Sequence, residues 1–160
     1  MKLDRLFLGA LVTGVALDLW TKRLVEASFK LYETRPLVPG IALTYVRNPG
    51  AAFSLLADAS PAWRLPFFMA VLLLALGACA YMLRQTPLRD RLSRLALGLI
   101  CAGALGNAFD RLRYGEVVDF IEVGVRSVYT WPIFNVADSA VFCGVVILLW
   151  RAYRPLSLEA

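Results

Sequence analysis

Four long apolar runs alternate with polar connections along the 160-residue chain. A helix needs about 20 apolar residues to cross a hydrocarbon core of about 30 Å. Leu6–Val25, Pro66–Leu83, Leu95–Leu112 and the shorter Val136–Trp150 meet that pattern. The pattern predicts an all-α integral membrane protein, a single domain over residues 1–160 with four transmembrane helices. Its connections are a long loop over 26–65, a short basic loop over 84–94 and a third loop over 113–135. Within the long loop, Leu37–Val46 places a Pro39-Gly40 turn before β-branched and aromatic residues, which predicts a small hairpin. After Asn48-Pro49-Gly50, the segment Ala51–Ala57 carries Phe53, Leu55 and Leu56 and reads as a short helix lying on the membrane surface.

Composition agrees. Apolar residues make up 59% and charged residues 18%, where soluble domains carry about 45–50% and about 25%. The mean hydropathy of +0.64 comes from the apolar blocks. Basic residues set the orientation. Residues 1–5, 84–94 and 151–160 hold eight lysines and arginines against Asp4, Asp90 and Glu159. All other residues hold nine basic and nine acidic side chains, so the net charge of +5 resides on the two ends and the short loop. Both termini are therefore expected in the cytoplasm and the two longer loops outside. The charge is a topology signal, and no nucleic-acid partner is needed to explain it. Val25-Glu26-Ala27 resembles a signal-peptide cleavage site. Cleavage there would follow Asp18, Lys22 and Arg23, so the first run is expected to be a retained helix.

An ionisable side chain at membrane depth is costly and marks a functional candidate. Asp18 and Lys22 lie four residues apart on one helix face. A simple ion pair with Lys22 snorkelling to the interface would also explain them. Asn107 and Arg111 share a face near the end of the third run, beside Asp110. Gly98, Ala102 and Gly106 form a small-residue stripe where another helix packs closely. Asp119 is a loop carboxylate among apolar neighbours. Asn135 and Asp138 open the fourth run as an N-cap and third-position pair, and capping alone would account for both. Every one of these polar residues maps to the outer ends of the spans, where four antiparallel helices can bring them into one pocket.

The chain has no histidine. Ser-His-Asp and Cys-His catalysis are excluded, as is a metal site built on imidazole. Cys79, Cys101 and Cys143 lie in apolar runs and read as small hydrophobes. Hydrolysis would then use two carboxylates or a Ser-Lys pair. Two aspartates sharing a proton cannot both ionise easily, so one can activate water while the other polarises a carbonyl. Asp119 and Asp138 are the best such pair. Lys22 with Ser54 or Ser139 is an alternative, and a small transporter whose aspartates relay protons is another.

Asp18-Leu19-Trp20-Thr21-Lys22, Arg47–Ser54, Gly103–Arg111, Val117-Val118-Asp119-Phe120 and Phe134–Ser139 follow one another along the chain. In this order the five segments resemble those of the bacterial lipoprotein signal peptidases, the signal peptidase II family. The resemblance implies an intramembrane aspartic endopeptidase that cleaves just before a diacylglyceryl-modified cysteine of a prolipoprotein. It implies Asp119 and Asp138 as the catalytic dyad, with Asn48, Gly50, Asn107, Arg111 and Asn135 holding substrate or shaping the site beside Asp18 and Lys22. It also implies a β-cradle over the membrane between the first two helices, no cofactor or metal, and membrane lipid and the lipid-modified substrate as partners. A monomer in the bacterial inner membrane, with its site near the outer face, is expected. Leu19 stands where the family usually has glutamine, and Pro49 where it more often has a polar residue.

Overall fold

The computed structural model describes residues 4–50, 60–125 and 129–153. The expected surface helix over 51–57 and the candidate Ser54 lie outside them. Among the described residues, four helices and four strands run in the order α1 (Arg5–Ser28), β1 (Thr34–Val38), β2 (Ile41–Asn48), α2 (Pro61–Gln85), α3 (Arg91–Tyr114), β3 (Val117–Val125), β4 (Tyr129–Thr130) and α4 (Val136–Tyr153).

Each helix begins or ends on local chemistry. Asp4 caps α1 by accepting the Leu6 and Phe7 N–H groups at 2.9 and 2.8 Å, satisfying donors that have no partner inside the helix. Asp90 caps α3 through Ser93. The other end of α3 closes at Gly115, whose φ of 73° is the left-handed conformation that suits glycine. Helix α2 starts at Pro61, five residues before the apolar run at Pro66. A proline at the first helical position lacks only an N–H that would be unpaired anyway, so the helix extends past the apolar stretch.

Helix α3 is the spine and touches the other three helices. The small-residue stripe explains how closely. A Cβ on Gly98 would lie 2.7 Å from the Phe7 carbonyl oxygen and 2.9 Å from Ala10 Cβ of α1. One on Gly103 would meet the Ala137 carbonyl of α4, and one on Gly106 would meet the Asp18 carboxylate. Absent side chains thus let three backbones approach, as packing between apolar helices requires. By length and composition, α2, α3 and α4 are apolar enough to cross a membrane. Helix α1 is as long as α3 but carries Asp18, Lys22 and Arg23. Helices α2 and α4 turn large apolar side chains outward, with Leu74 and Phe142 among the most exposed, as lipid-facing surfaces do.

The strands form one antiparallel sheet in the order β1-β2-β3-β4. Gly40, at φ 84°, makes the predicted hairpin turn between β1 and β2. The expected cradle between the first two helices is thus half of the sheet, because β3 and β4 come from the connection between α3 and α4. Asp119 is correspondingly a strand residue paired with Val46, rather than a loop carboxylate. The sequence hides this strand because Val117, Val118, Asp119 and Phe120 are all buried, so no alternation of polar and apolar positions marks it. Val118 and Phe120 pack with Val25 and Tyr45 and seat the sheet on the end of α1.

Candidate active site

Asn135 organises the polar end of the bundle. Its Oδ1 accepts the Asp138 N–H at 2.9 Å, and its own N–H donates to Asp138 Oδ2 at 3.1 Å. This is the reciprocal cap expected from the sequence. The side-chain amide does more than cap. Nδ2 donates to Asp119 Oδ1 at 2.7 Å and also lies within reach of Asn107 Oδ1 at 3.1 Å. One fully buried asparagine therefore joins the strand that carries Asp119 to the helix that carries Asp138.

Two further asparagines complete the frame. Asn48, the last residue of β2, donates from Nδ2 to Asp119 Oδ2 at 3.0 Å. Its Oδ1 accepts the Gly50 N–H at 2.9 Å, a tight turn in which Pro49 offers no N–H of its own. Asn107 of α3 donates to Asp138 Oδ1 at 2.7 Å. Arg111, one turn further, donates to the Gly50 carbonyl oxygen at 2.9 Å and stacks 4.1 Å over the Phe68 ring. It ties the long connection to α3 and α2.

Beneath this frame lies a buried charge cluster. Asp18 and Lys22 are 0% and 2% exposed. Lys22 Nζ sits 2.8 Å from Asp18 and 2.9 Å from Asp110, and donates to Asn107 Oδ1 at 3.1 Å. Lys22 therefore does not snorkel; two carboxylates and an amide replace its water, which is what a buried ammonium needs. Asp18 Oδ1 accepts the Ala137 N–H at 2.9 Å, and Asp110 Oδ2 accepts the Val118 N–H at 3.1 Å. The cluster thereby pins the start of α4 and the strand bearing Asp119. Asp110 is a strut whose role the sequence does not reveal. Its place in the third motif was visible, but the backbone N–H it holds lies on a strand that the pattern did not mark.

All nine residues singled out, Asp18, Lys22, Asn48, Gly50, Asn107, Arg111, Asp119, Asn135 and Asp138, thus meet at one end of the bundle. Asp119 is 2% exposed. Burial and the neighbouring charge of Asp138 push its carboxyl up to about 7, against the hydrogen bonds from Asn48 and Asn135 and the charge of Lys22. Asp138 is only partly buried. A buried, raised carboxyl with a more accessible carboxyl near it is an arrangement that general acid–base hydrolysis can use. The Ser-Lys alternative fits poorly. Lys22 is bound by two acids, and the Ser139 hydroxyl donates to the Asn135 carbonyl at 2.9 Å.

Comparison with known proteins bears on the same segments. The family model described as signal peptidase (SPase) II matches residues 10–154. A protein of Geobacter sulfurreducens named lipoprotein signal peptidase is 46% identical over 145 residues, covering 90% of this chain and 89% of that one. One of the same name from Syntrophus aciditrophicus is 42% identical over 145 residues, covering 90% and 89%. A structure titled as a bacterial membrane enzyme solved by the in meso method at 2.3 Å matches with a TM-score of 0.83 and 30% identity, covering 96% of this chain and 91% of that one.

Proposed function

The chain belongs to the signal peptidase II family of proteases, and we propose that Asp119 and Asp138 are the dyad with which it hydrolyses peptide bonds. The observation that carries this reading is the amide of Asn135, which holds Asp119 at 2.7 Å while its backbone and Oδ1 hold Asp138. In this scheme Asp119 keeps the proton, consistent with a carboxyl raised to about 7. Asp138 is the carboxylate, at the positive end of α4. Asp138 takes a proton from water as the hydroxide adds to the scissile carbonyl carbon, and Asp119 protonates the carbonyl oxygen. The C–N bond then breaks, the leaving amine takes the proton held by Asp138, and a hydroxyl of the intermediate returns its proton to Asp119 as the new carboxyl group forms. Asn48, Asn107 and Asn135 fix both carboxyl groups, and Asp18, Lys22 and Asp110 fix the elements that carry them.

The substrate in this reading is a diacylglyceryl-modified prolipoprotein, cut before its lipid-bearing cysteine. It reaches the site laterally from the bilayer. Helix α1 serves as the fourth span, its buried charges turned toward α3 and its exposed Val12 and Trp20 toward lipid. The basic termini and the 84–94 loop face the cytoplasm by the positive-inside rule, which puts the dyad at the outer face of the inner membrane. Aromatic residues support that frame, with Trp20, Trp63 and Trp131 exposed near one end and Tyr81, Trp150 and Tyr153 near the other. The test is a comparison of two substrates with the purified protein. The diacylglyceryl-modified prolipoprotein is expected to lose its signal peptide, and the unmodified precursor to remain intact. Equal cleavage of both would overturn the substrate assignment.

A further inference from the structure

A second charged group lies where α1 and α3 end, outside the hydrogen bonds that hold the dyad. Glu26, near the end of α1, lies 2.7 Å from Arg47 Nη2 and accepts the Tyr114 hydroxyl at 3.4 Å. Arg47 is fixed in turn by the Tyr45 hydroxyl at 2.8 Å and lies 4.1 Å over the Tyr114 ring. Two more guanidinium groups converge on the same acid and ring. Arg23 Nε is 3.9 Å from Glu26 Oε2, with 55% of its side chain exposed. Arg113 is exposed and sits 4.8 Å from the Tyr114 ring centroid.

Arg47 and Arg23 thus approach the Glu26 carboxylate and Arg47 and Arg113 the Tyr114 ring, so three guanidinium groups share one Glu26–Tyr114 pair. Among the described residues Arg47 binds Glu26 most closely, and Arg23 and Arg113 are the exposed members of the group. Each has an ordinary explanation taken singly. Arg113 complements the negative end of α3, and an arginine at a helix end reaches water readily. Neither accounts for their meeting over one Glu26–Tyr114 pair. Guanidinium forks match phosphate oxygens in geometry and charge. The group lies where α1 and α3 end, and tyrosines at such ends sit at headgroup depth.

We propose that Arg23 and Arg113, braced by Glu26, Arg47 and Tyr114, form a site for the phosphodiester of an anionic phospholipid in the outer leaflet. The proposal rests on the outer-face placement of the sheet end argued above. A diacylglyceryl-modified cysteine carries no phosphate, so the ligand is a lipid of the bilayer and not the substrate. The experiment is native mass spectrometry of the intact protein released from neutral detergent, with phosphatidylglycerol or phosphatidylcholine added. Wild type is expected to retain one phosphatidylglycerol in preference to phosphatidylcholine. The Arg23→Gln/Arg113→Gln variant should lose that retention by about fivefold or more while still cleaving substrate in detergent. An Arg84→Gln/Arg89→Gln variant, altered at the opposite end, should retain the lipid as wild type does. Undiminished retention by the first variant overturns the site, and displacement by glycerol phosphate alone overturns the lipid as its source. Labelling Arg113→Cys in intact cells with an impermeant thiol reagent separates the two readings. No labelling removes the placement itself, whereas labelling with undiminished retention removes only the lipid site.

Discussion

At Asn135 one side chain meets two requirements that the sequence shows only in part. The cap on α4 was legible, since an asparagine three residues before an aspartate at the start of an apolar run has few other structural uses. Its second bond, to Asp119 sixteen residues earlier, was not, because nothing local fixes where a strand residue lands. Asn48 offers the sharper test of residue-scale chemistry. Its bond to Asp119 favours the ionised form, so removing it strengthens the hold on the proton. The active dyad carries one proton, which is lost as pH rises through the Asp119 value of about 7. Activity should therefore fall on the alkaline side near pH 7, and Asn48→Ala should lower turnover and move that limb to higher pH. A pH–rate profile checks this; an unmoved or lower limb contradicts it. Linkage gives the matching sign for stability. Between about pH 4 and about 7 the folded state holds a proton the unfolded chain has lost, so this group's stabilising contribution fades as pH rises. Lys22 tests the buried cluster. Lys22→Met leaves Asp18 and Asp110 without their cation, and breaking a buried pair costs about 3–5 kcal/mol. Thermal unfolding in detergent should show a large loss, with cleavage lost alongside it.

Among the elements, α3 carries the arrangement. The four helices of the described residues were readable from length and hydropathy alone, with ends moved by a few residues where polar turns continue them, and three of the four are apolar enough to cross a membrane. The stripe of Gly98, Ala102 and Gly106 was readable as a packing face, and α1 does occupy it. Strand β3 was not readable, because a strand buried on both faces leaves no period in its sequence. Asp110 was missed as a strut for the same reason, since its partner is the backbone of that strand. The close approach of α3 to α4 gives an element-scale prediction. Gly103→Val places a side chain against the Ala137 carbonyl and Val141, and α4 must shift with Asp138 on it. Overpacking of this kind costs about 1–3 kcal/mol. The variant should unfold at lower temperature and lose activity. Gly77→Ala, where nothing lies within 4 Å of the new Cβ, should change neither.

Over the whole molecule, two connections that look independent in sequence combine into one sheet across the helix ends. That sheet brings Asn48, from one connection, to the carboxyl group of Asp119, from the other. The lipid-facing helices α2 and α4 supply little of this chemistry beyond Asn135 and Asp138 at the start of α4 and the Phe68 ring under Arg111. The polar groups instead converge from α1, α3 and the sheet, which is why an ordinary hydropathy pattern conceals a densely bonded site. Purified wild type, Asp119→Asn and Asp138→Asn, each shown folded by circular dichroism, should be incubated with a diacylglyceryl-modified prolipoprotein and followed by gel for loss of the signal peptide. The dyad predicts cleavage by wild type and none above background by either variant. Cleavage by a folded Asp119→Asn or Asp138→Asn at a rate near wild type would contradict it.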